Sequence, residues 1–153
     1  MASIEYDKIY SCFLSKITDY KFLNLPTDDA YDLMRGWLHS AISKPFIRKE
    51  FSTIAFKDDI LMLDFEIKRS IDKQSDEDYA VEIIAMGMVI EWIEPQVKSV
   101  VNMSQMFSGK EMKFYAQANH LSELKKMLDD AKVEIRRIIR DHGYFSGTLN
   151  SET

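Results

Sequence analysis

The chain has one cysteine, three prolines and five glycines in 153 residues, and it has no long uncharged apolar run. A single thiol, Cys12, excludes an internal disulfide and a multi-thiolate zinc site, which is typical of a reducing compartment. The scattered glycines form no phosphate-binding loop or dinucleotide fingerprint, and no serine lies in a nucleophile-elbow context. These absences favour a protein that is not an enzyme and that uses no cofactor.

The net charge is −5, which argues against general affinity for nucleic acid, because phosphate binding needs a basic surface. The N-terminal segment "MASIEYDKIYS" has an early acid and no apolar core, so it does not predict a signal peptide. The most apolar window is interrupted by glutamates, and a membrane span needs roughly 20 largely apolar residues. We therefore expect one folded domain and no membrane partner.

Two helices and a hairpin are predicted in the first half of the chain. Ser3 is a suitable cap for a first helix that runs to about Thr18, and Thr27 caps a second helix that ends before Pro45. The runs "FSTIAF" and "ILMLDFEIKR" alternate apolar and polar residues on either side of "KDD". They predict a hairpin over about 51–68.

The third helix is predicted to begin at a capping box that pairs Ser75 with Asp78. Pro95 should kink or break this helix, because proline lacks the backbone N–H that a helix interior uses. The pattern then weakens over 102–117, where we expect a loop with room for a short helix.

The last helix, "HLSELKKMLDDAKVEIRRIIRDHG", has a heptad stripe and a predicted C-terminal cap at Gly143. Residues 144–153 have no periodicity, which predicts a tail or a docking arm. The fold class is therefore mainly α, a single four-helix-bundle-like domain over 1–143 with a hairpin inserted between helices 2 and 3.

The titratable residues do not form a predicted metal or catalytic site. His39, His120 and His142 have no second ligand at helical spacing, so we interpret them as a helix-surface residue, a residue near a helix start and a C-terminal cation. The acidic runs "TDD", "KDD", "SDED" and "LDD" stand where helix starts, turns or outer helix faces accommodate them.

The third helix is apolar almost all the way round, in "YAVEIIAMGMVIEWIEPQVKSVV". Such a helix is either the centre of a bundle or shared between a bundle and another chain. A bundle of about 150 residues leaves little room to enclose it, and the hairpin edges would be unpaired in a monomer. We therefore predict a subunit interface made of Met86, Met88, Val89, Ile90, Trp92, Ile93, Ile54, Phe56, Leu61 and Leu63.

Arg136, Arg137 and Arg140 form one patch near the end of the last helix. Their position is explained by the helix dipole, which favours cations there. They are also the candidate residues for facing DNA or an acidic partner.

Three segments carry a resemblance to a known family: "DLMRGWLHSAISKPFIRKEFSTI", "VEIIAMGMVIEWIEP" and "NMSQMFSGKEMKFYAQANHLSELK". With them the chain resembles the head-to-tail connector (adaptor) proteins of tailed bacteriophages. The resemblance implies a ring, commonly of twelve subunits, in the virion neck, assembled in the host cytoplasm. The ring would contact the portal and the next neck or tail protein, and DNA only non-specifically. Candidate docking residues are Tyr144, Phe145, Met103, Met106 and Phe107.

Two other functions fit the same sequence. A cytoplasmic helical regulator would bind another protein through the apolar helix as a dimer or monomer. A DNA-binding accessory protein would expose the arginine patch together with Lys132, and its binding would weaken steeply with salt.

Overall fold

The computed structural model describes the backbone of residues 1–17, 27–106 and 111–151, with side chains for 1–17, 28–99 and 122–147. It is mainly helical, as predicted, with a small antiparallel sheet. In chain order the elements are β1 Ala2–Glu5, α1 Tyr6–Ser15, α2 Thr27–Ser43, α3 Pro45–Arg48, β2 Phe51–Lys57, β3 Met62–Ile67, α4 Lys73–Met106 and α5 Glu111–Ser151.

The predicted hairpin is confirmed, and it is part of a three-stranded sheet of order β1-β3-β2. Strand β3 pairs with both neighbours, so that Phe65 lies opposite Ala2 on one side and Ile54 on the other. Leu63, Phe65 and Ile67 alternate along β3 and are all buried. This face packs the sheet against the helices, which an isolated hairpin would need for stability.

Strand β1 corrects the predicted start of the first helix. Ser3 is not a helix cap, because it pairs with Asp64 in β3 and its hydroxyl donates a hydrogen bond to that carboxylate. Helix α1 begins at Tyr6 and ends at Ser15, and Thr18 lies outside the described residues. Pairing with the edge of β3 satisfies backbone groups that local sequence signals do not register.

Pro45 ends the second helix as predicted. Helix α2 stops at Ser43, Lys44 is extended, and Pro45 begins the short helix α3. The residue before a proline avoids helical geometry, and proline suits the first turn of the next helix.

Helix α4 begins three residues before the predicted position. Its cap is Asp72, whose carboxylate accepts hydrogen bonds from the Ser75 backbone N–H (2.7 Å) and the Ser75 hydroxyl (3.0 Å). Ser75 is therefore the partner of the cap, and the proposed box with Asp78 is wrong. Pro95 does not break α4, which continues to Met106.

The prediction of a loop over 102–117 is wrong for the part of it that the structure describes. Residues 102–106 belong to α4 and 111–117 to α5, while Gly109 lies outside the described residues. A helix can continue through a weakly patterned sequence when the elements beside it supply the packing that propensity lacks.

Helix α5 also continues beyond the predicted cap, so residues 144–151 are helical and Gly143 is not in a left-handed conformation. The reason is that the buried stripe does not stop at Gly143. Ser146 follows His142 by one turn, and both are buried. A docking role for this segment stays a prediction.

The middle of α4 is enclosed by the chain itself. Every residue from Ile83 to Ile90 is buried, because α1 and α2 pack on α4 from one direction and α5 from another. The expectation that the bundle has too little room for this helix is therefore wrong. The sheet, α3 and the two long helices supply the extra surface that a short four-helix bundle would lack.

Candidate interaction site

An open groove of about 610 Å³ runs between α3, α4 and α5. Pockets that enclose small ligands or protruding side chains are usually roughly 300–1,000 Å³ with a mainly apolar lining. The apolar lining here comes from all three helices and consists of Phe46, Ile47, Gly87, Ile90, Ile135 and Ile139.

Charged side chains surround this apolar lining, and cations predominate. Lys132 Nζ lies 3.5 Å from Glu94, and Lys44 Nζ lies 3.4 Å from Glu91 Oε1, close enough for an ion pair but without hydrogen-bond geometry. Five cations face two carboxylates, which leaves an excess of three positive charges in a protein of net charge −5. The five cations are Lys44, Lys49, Lys132, Arg136 and Arg140. We call this groove with its cations the basic groove.

Gly87 sets how closely α3 approaches α4 at one end of the basic groove. A Cβ atom on Gly87 would lie 2.5 Å from Ile47 Cδ1 and 3.0 Å from Ala41 Cβ, both in fully buried residues. The missing side chain therefore lets α3 pack directly on α4. This position places Lys44 and Lys49 opposite the cations of α5.

The turn between β2 and β3 is a second prominent surface feature. Ile60 and Leu61 are 59% and 46% exposed, although both are large aliphatic residues. Asp59 precedes them and is exposed. We call residues 58–61 the hairpin tip. The run "KDD" predicted a turn and Leu61 was predicted as an interface residue, whereas the exposed Ile60 beside it was not predicted.

The hairpin tip is held rigidly at its base. The Tyr6 hydroxyl donates to Asp58 Oδ1 (2.6 Å), and His39 Nε2 lies 3.0 Å from the same oxygen. The hydrogen bond from Tyr6 is the largest cause that lowers the pKa of Asp58, and the contact with His39 is the second. Burial raises the pKa of Tyr6. Leu61 has φ 54°, which is uncommon for a residue other than glycine, and its carbonyl accepts the Tyr6 N–H at 2.9 Å.

Most of the predicted interface residues lie inside the subunit. The following side chains are buried in the core of the chain and have almost no surface to offer a neighbour: Met86, Met88, Val89, Ile90, Trp92, Ile93 and Leu63. This corrects the assignment of the α4 face to a subunit interface. Ile54 and Phe56 are half-buried on β2, and Phe56 stacks on His39. Leu61 alone among the ten is exposed.

The remaining candidates lie on α5 or outside the described side chains. Tyr144 and Phe145 are 73% and 52% exposed near the end of α5. Met103 and Met106 are in the helical backbone of α4 and Phe107 lies outside the described residues, so their docking role stays a prediction.

The three arginines of the patch line one shallow depression on α5 together with Val133. Arg136 and Arg140 line the basic groove. Arg137 does not, and its guanidinium donates to Glu134 at 2.6 Å. Whether any of the three faces DNA stays a prediction.

His142 is not the C-terminal cation that the sequence predicted. Its ring is buried and stacks on Tyr79, with centroids 3.7 Å apart. Burial lowers the pKa of His142, and neither ring nitrogen has a hydrogen-bond partner within the part of the chain that the structure describes. The neutral ring therefore acts as a flat packing group. His39 is at the surface as predicted, and the side chain of His120 lies outside the described residues.

Cys12 does not have the environment of a nucleophile. Burial, and then the charge of Glu82, raise the pKa of the thiol, whereas reactive cysteines need a depressed pKa. Among the described residues no three His, Cys, Asp or Glu side chains converge as a metal site would require. None of the described helices is long and apolar enough to cross a membrane.

Comparisons with protein-family models, with curated proteins and with solved structures find no match to this chain.

Proposed function

We propose that the protein is a head-to-tail connector subunit of a tailed bacteriophage, which forms a ring below the portal, lines the DNA passage and joins head to tail. The observation that carries the proposal is the one-sided packing of α5. This helix of 41 residues is roughly 60 Å long at 1.5 Å per residue. It packs chiefly against α4, and between residues 122 and 147, where its side chains are described, the opposite side is exposed.

The available side of α5 carries apolar residues that a subunit contact would cover. Val133 is 63% exposed, and Tyr144 follows it by eleven residues, which is about three helical turns. The two therefore lie on one line along the helix, and Met127 and Phe145 lie on another. A neighbouring subunit that lies along this side of α5 would cover these residues in one contiguous contact, and contiguous apolar surfaces are typical of interaction sites. The outer side of α5 is therefore proposed as a subunit contact, in place of the buried apolar face of α4.

The overall charge supports a position around a DNA passage. A net charge of −5 gives little affinity for phosphate, so that DNA passes without binding tightly. The resemblance to connector proteins adds the portal and the next neck or tail protein as partners.

The test is the mass of the purified protein by light scattering, alone and with a candidate portal protein, with electron microscopy of the larger species. A ring, or a monomer that joins a high-order complex with the portal, is the expected result. A stable dimer or monomer that ignores the portal would contradict the proposal and favour the regulator. Tight DNA binding that weakens steeply with salt would favour the accessory protein.

A further inference from the structure

We infer that the hairpin tip of one copy docks in the basic groove of the next copy. The inference deepens the proposed function by naming the two surfaces through which subunits associate, and it rests on that function only in requiring that copies assemble.

The two surfaces are complementary in charge. The hairpin tip carries Asp58 and Asp59, and the groove has an excess of three positive charges. Lys57 does not cancel the charge of the tip, because its ammonium group lies 2.5 Å from Asp64 of β3. Opposed potentials of this kind orient partners and select the register in which they meet.

The two surfaces are also complementary in polarity. Ile60 and Leu61 project from a turn, and the basic groove offers an apolar lining that includes Ile135 and Ile139. Apolar side chains that fill a pocket while a charged rim surrounds them are the usual arrangement of residues that dominate binding. A volume of about 610 Å³ accommodates two such side chains.

The geometry of β2 requires that this contact join different copies. Lys49 lines the groove and lies just before β2, whereas the hairpin tip follows the far end of that strand. Seven strand residues at about 3.3 Å each separate the two by about 20 Å. The Tyr6 and His39 contacts hold the tip at that distance, so it cannot reach the groove of its own chain.

A contact between two different patches is heterologous, and it closes into a ring when the rotation between copies allows. This arrangement uses one surface at each end of β2 and leaves the outer side of α5 for a second contact. It also explains why Leu61 holds an unfavourable backbone conformation, because the strain keeps an apolar side chain exposed at the tip.

Charge reversal at either surface tests the contact. The tip variant Asp59→Lys/Ile60→Lys and the groove variant Arg136→Glu/Arg140→Glu should each weaken self-association by at least about tenfold in light scattering, because like charges would then meet. Both pairs of residues are exposed or at the rim, so the thermal unfolding curve should stay close to that of the unmodified chain. Lys68→Glu is the control, since Lys68 is an exposed cation that follows β3 and does not line the groove.

Mixing the groove variant with a tip variant that carries Asp59→Lys alone provides the decisive result, because Ile60 can then still fill the groove. The lysine introduced at the tip of one chain meets the negative groove of the other, and the original tip meets the original groove, so alternating copies should assemble again. Failure of the mixture to assemble, when each variant is folded and the unmodified chain assembles, would overturn the inference and leave the proposed function standing.

Disulfide cross-linking tests the same contact if the copies associate too weakly for light scattering. In a Cys12→Ser background, a chain with Ile60→Cys mixed with a chain with Ile139→Cys should form a cross-linked pair on oxidation. Val133→Cys on the outer side of α5 is the control partner. No preference for Ile139→Cys would also overturn the inference. If the trap and the charge swap succeed but the assembly ignores the portal, the connector function fails and the contact stands.

Discussion

The middle of α4 and the outer side of α5 carry similar kinds of residues in opposite surroundings. Ile83 to Ile90 is apolar and wholly buried by α1, α2 and α5. Val133 and Tyr144 of α5 are as apolar as many core residues, and both are exposed. In this protein a helix that is apolar all the way round belongs to the core of its own chain. Separate apolar residues on a mostly charged helix are instead exposed at the surface.

The largest effect is expected from a charge placed in each of these two regions. Met88→Asp buries an uncompensated carboxylate, which costs several kcal/mol, a large part of the roughly 5–15 kcal/mol that holds a domain folded. Val133→Asp should change stability by no more than about 0.5 kcal/mol. Thermal unfolding followed by circular dichroism measures both. If the Met88→Asp variant folds but its assembly state changes, the subunit interface includes α4.

A smaller effect, with opposite signs, is expected from the same substitution at two helical glycines. Gly36→Ala in α2 meets no atom within 4 Å and should stabilise the protein by about 1 kcal/mol through helix propensity. Gly87→Ala gains the same propensity but overpacks against Ile47 and Ala41, a cost of about 1–3 kcal/mol. We expect a net loss of stability, measured by denaturant unfolding. A stabilised Gly87→Ala variant would show that α3 is free to move.

The His142 site should make stability sensitive to acid. Its pKa is lowered by burial and by Arg69, and Glu50 and Asp76 oppose that shift. A folded-state pKa below the unfolded value of about 6.5 means that stability is lost as pH falls through and below 6.5. His142→Phe keeps the ring on Tyr79 and removes the titration. The melting temperature should therefore fall less between pH 8 and pH 5 in this variant. If the melting temperature falls by the same amount in both proteins, groups other than His142 cause the loss of stability in acid.

The smallest effect is expected on the exposed side of α5. Arg137→Ala removes the ion pair with Glu134, which is three residues away on the same helix. Exposed pairs of this kind contribute little to stability, because solvent screens the two charges. Denaturant unfolding at low and high salt measures the change, which should shrink in high salt because exposed charges are screened. A loss as large as that of Gly87→Ala would mean that Arg137 has a further contact.

The prediction from sequence succeeded where the signal is local. The alternation around "KDD" predicted the hairpin, and Pro45 predicted the end of α2, because both depend on neighbouring residues and backbone geometry. It failed at Ser3, whose partner Asp64 is distant in sequence, and at Gly143, where the buried stripe continues. Local cap signals compete with tertiary contacts, and strand pairing prevailed at Ser3 and helix packing at Gly143.

The candidate site was predicted only in part. Arg136 and Arg140 were recognised as one patch, and Leu61 was assigned to an interface. Lys44 and Lys49 were not connected with them, because α3 comes beside α5 only through packing on Gly87. No helical or strand period relates residues on separate elements.

Hydrophobic period and turn residues predict a mainly helical chain with one inserted hairpin, since both are local properties of the sequence. Which apolar surface is core and which is exposed follows from the tertiary structure alone. The reason is that burial depends on what the rest of the chain places around a helix. α4 is surrounded by its own subunit, while the hairpin tip and the basic groove are held about 20 Å apart by β2.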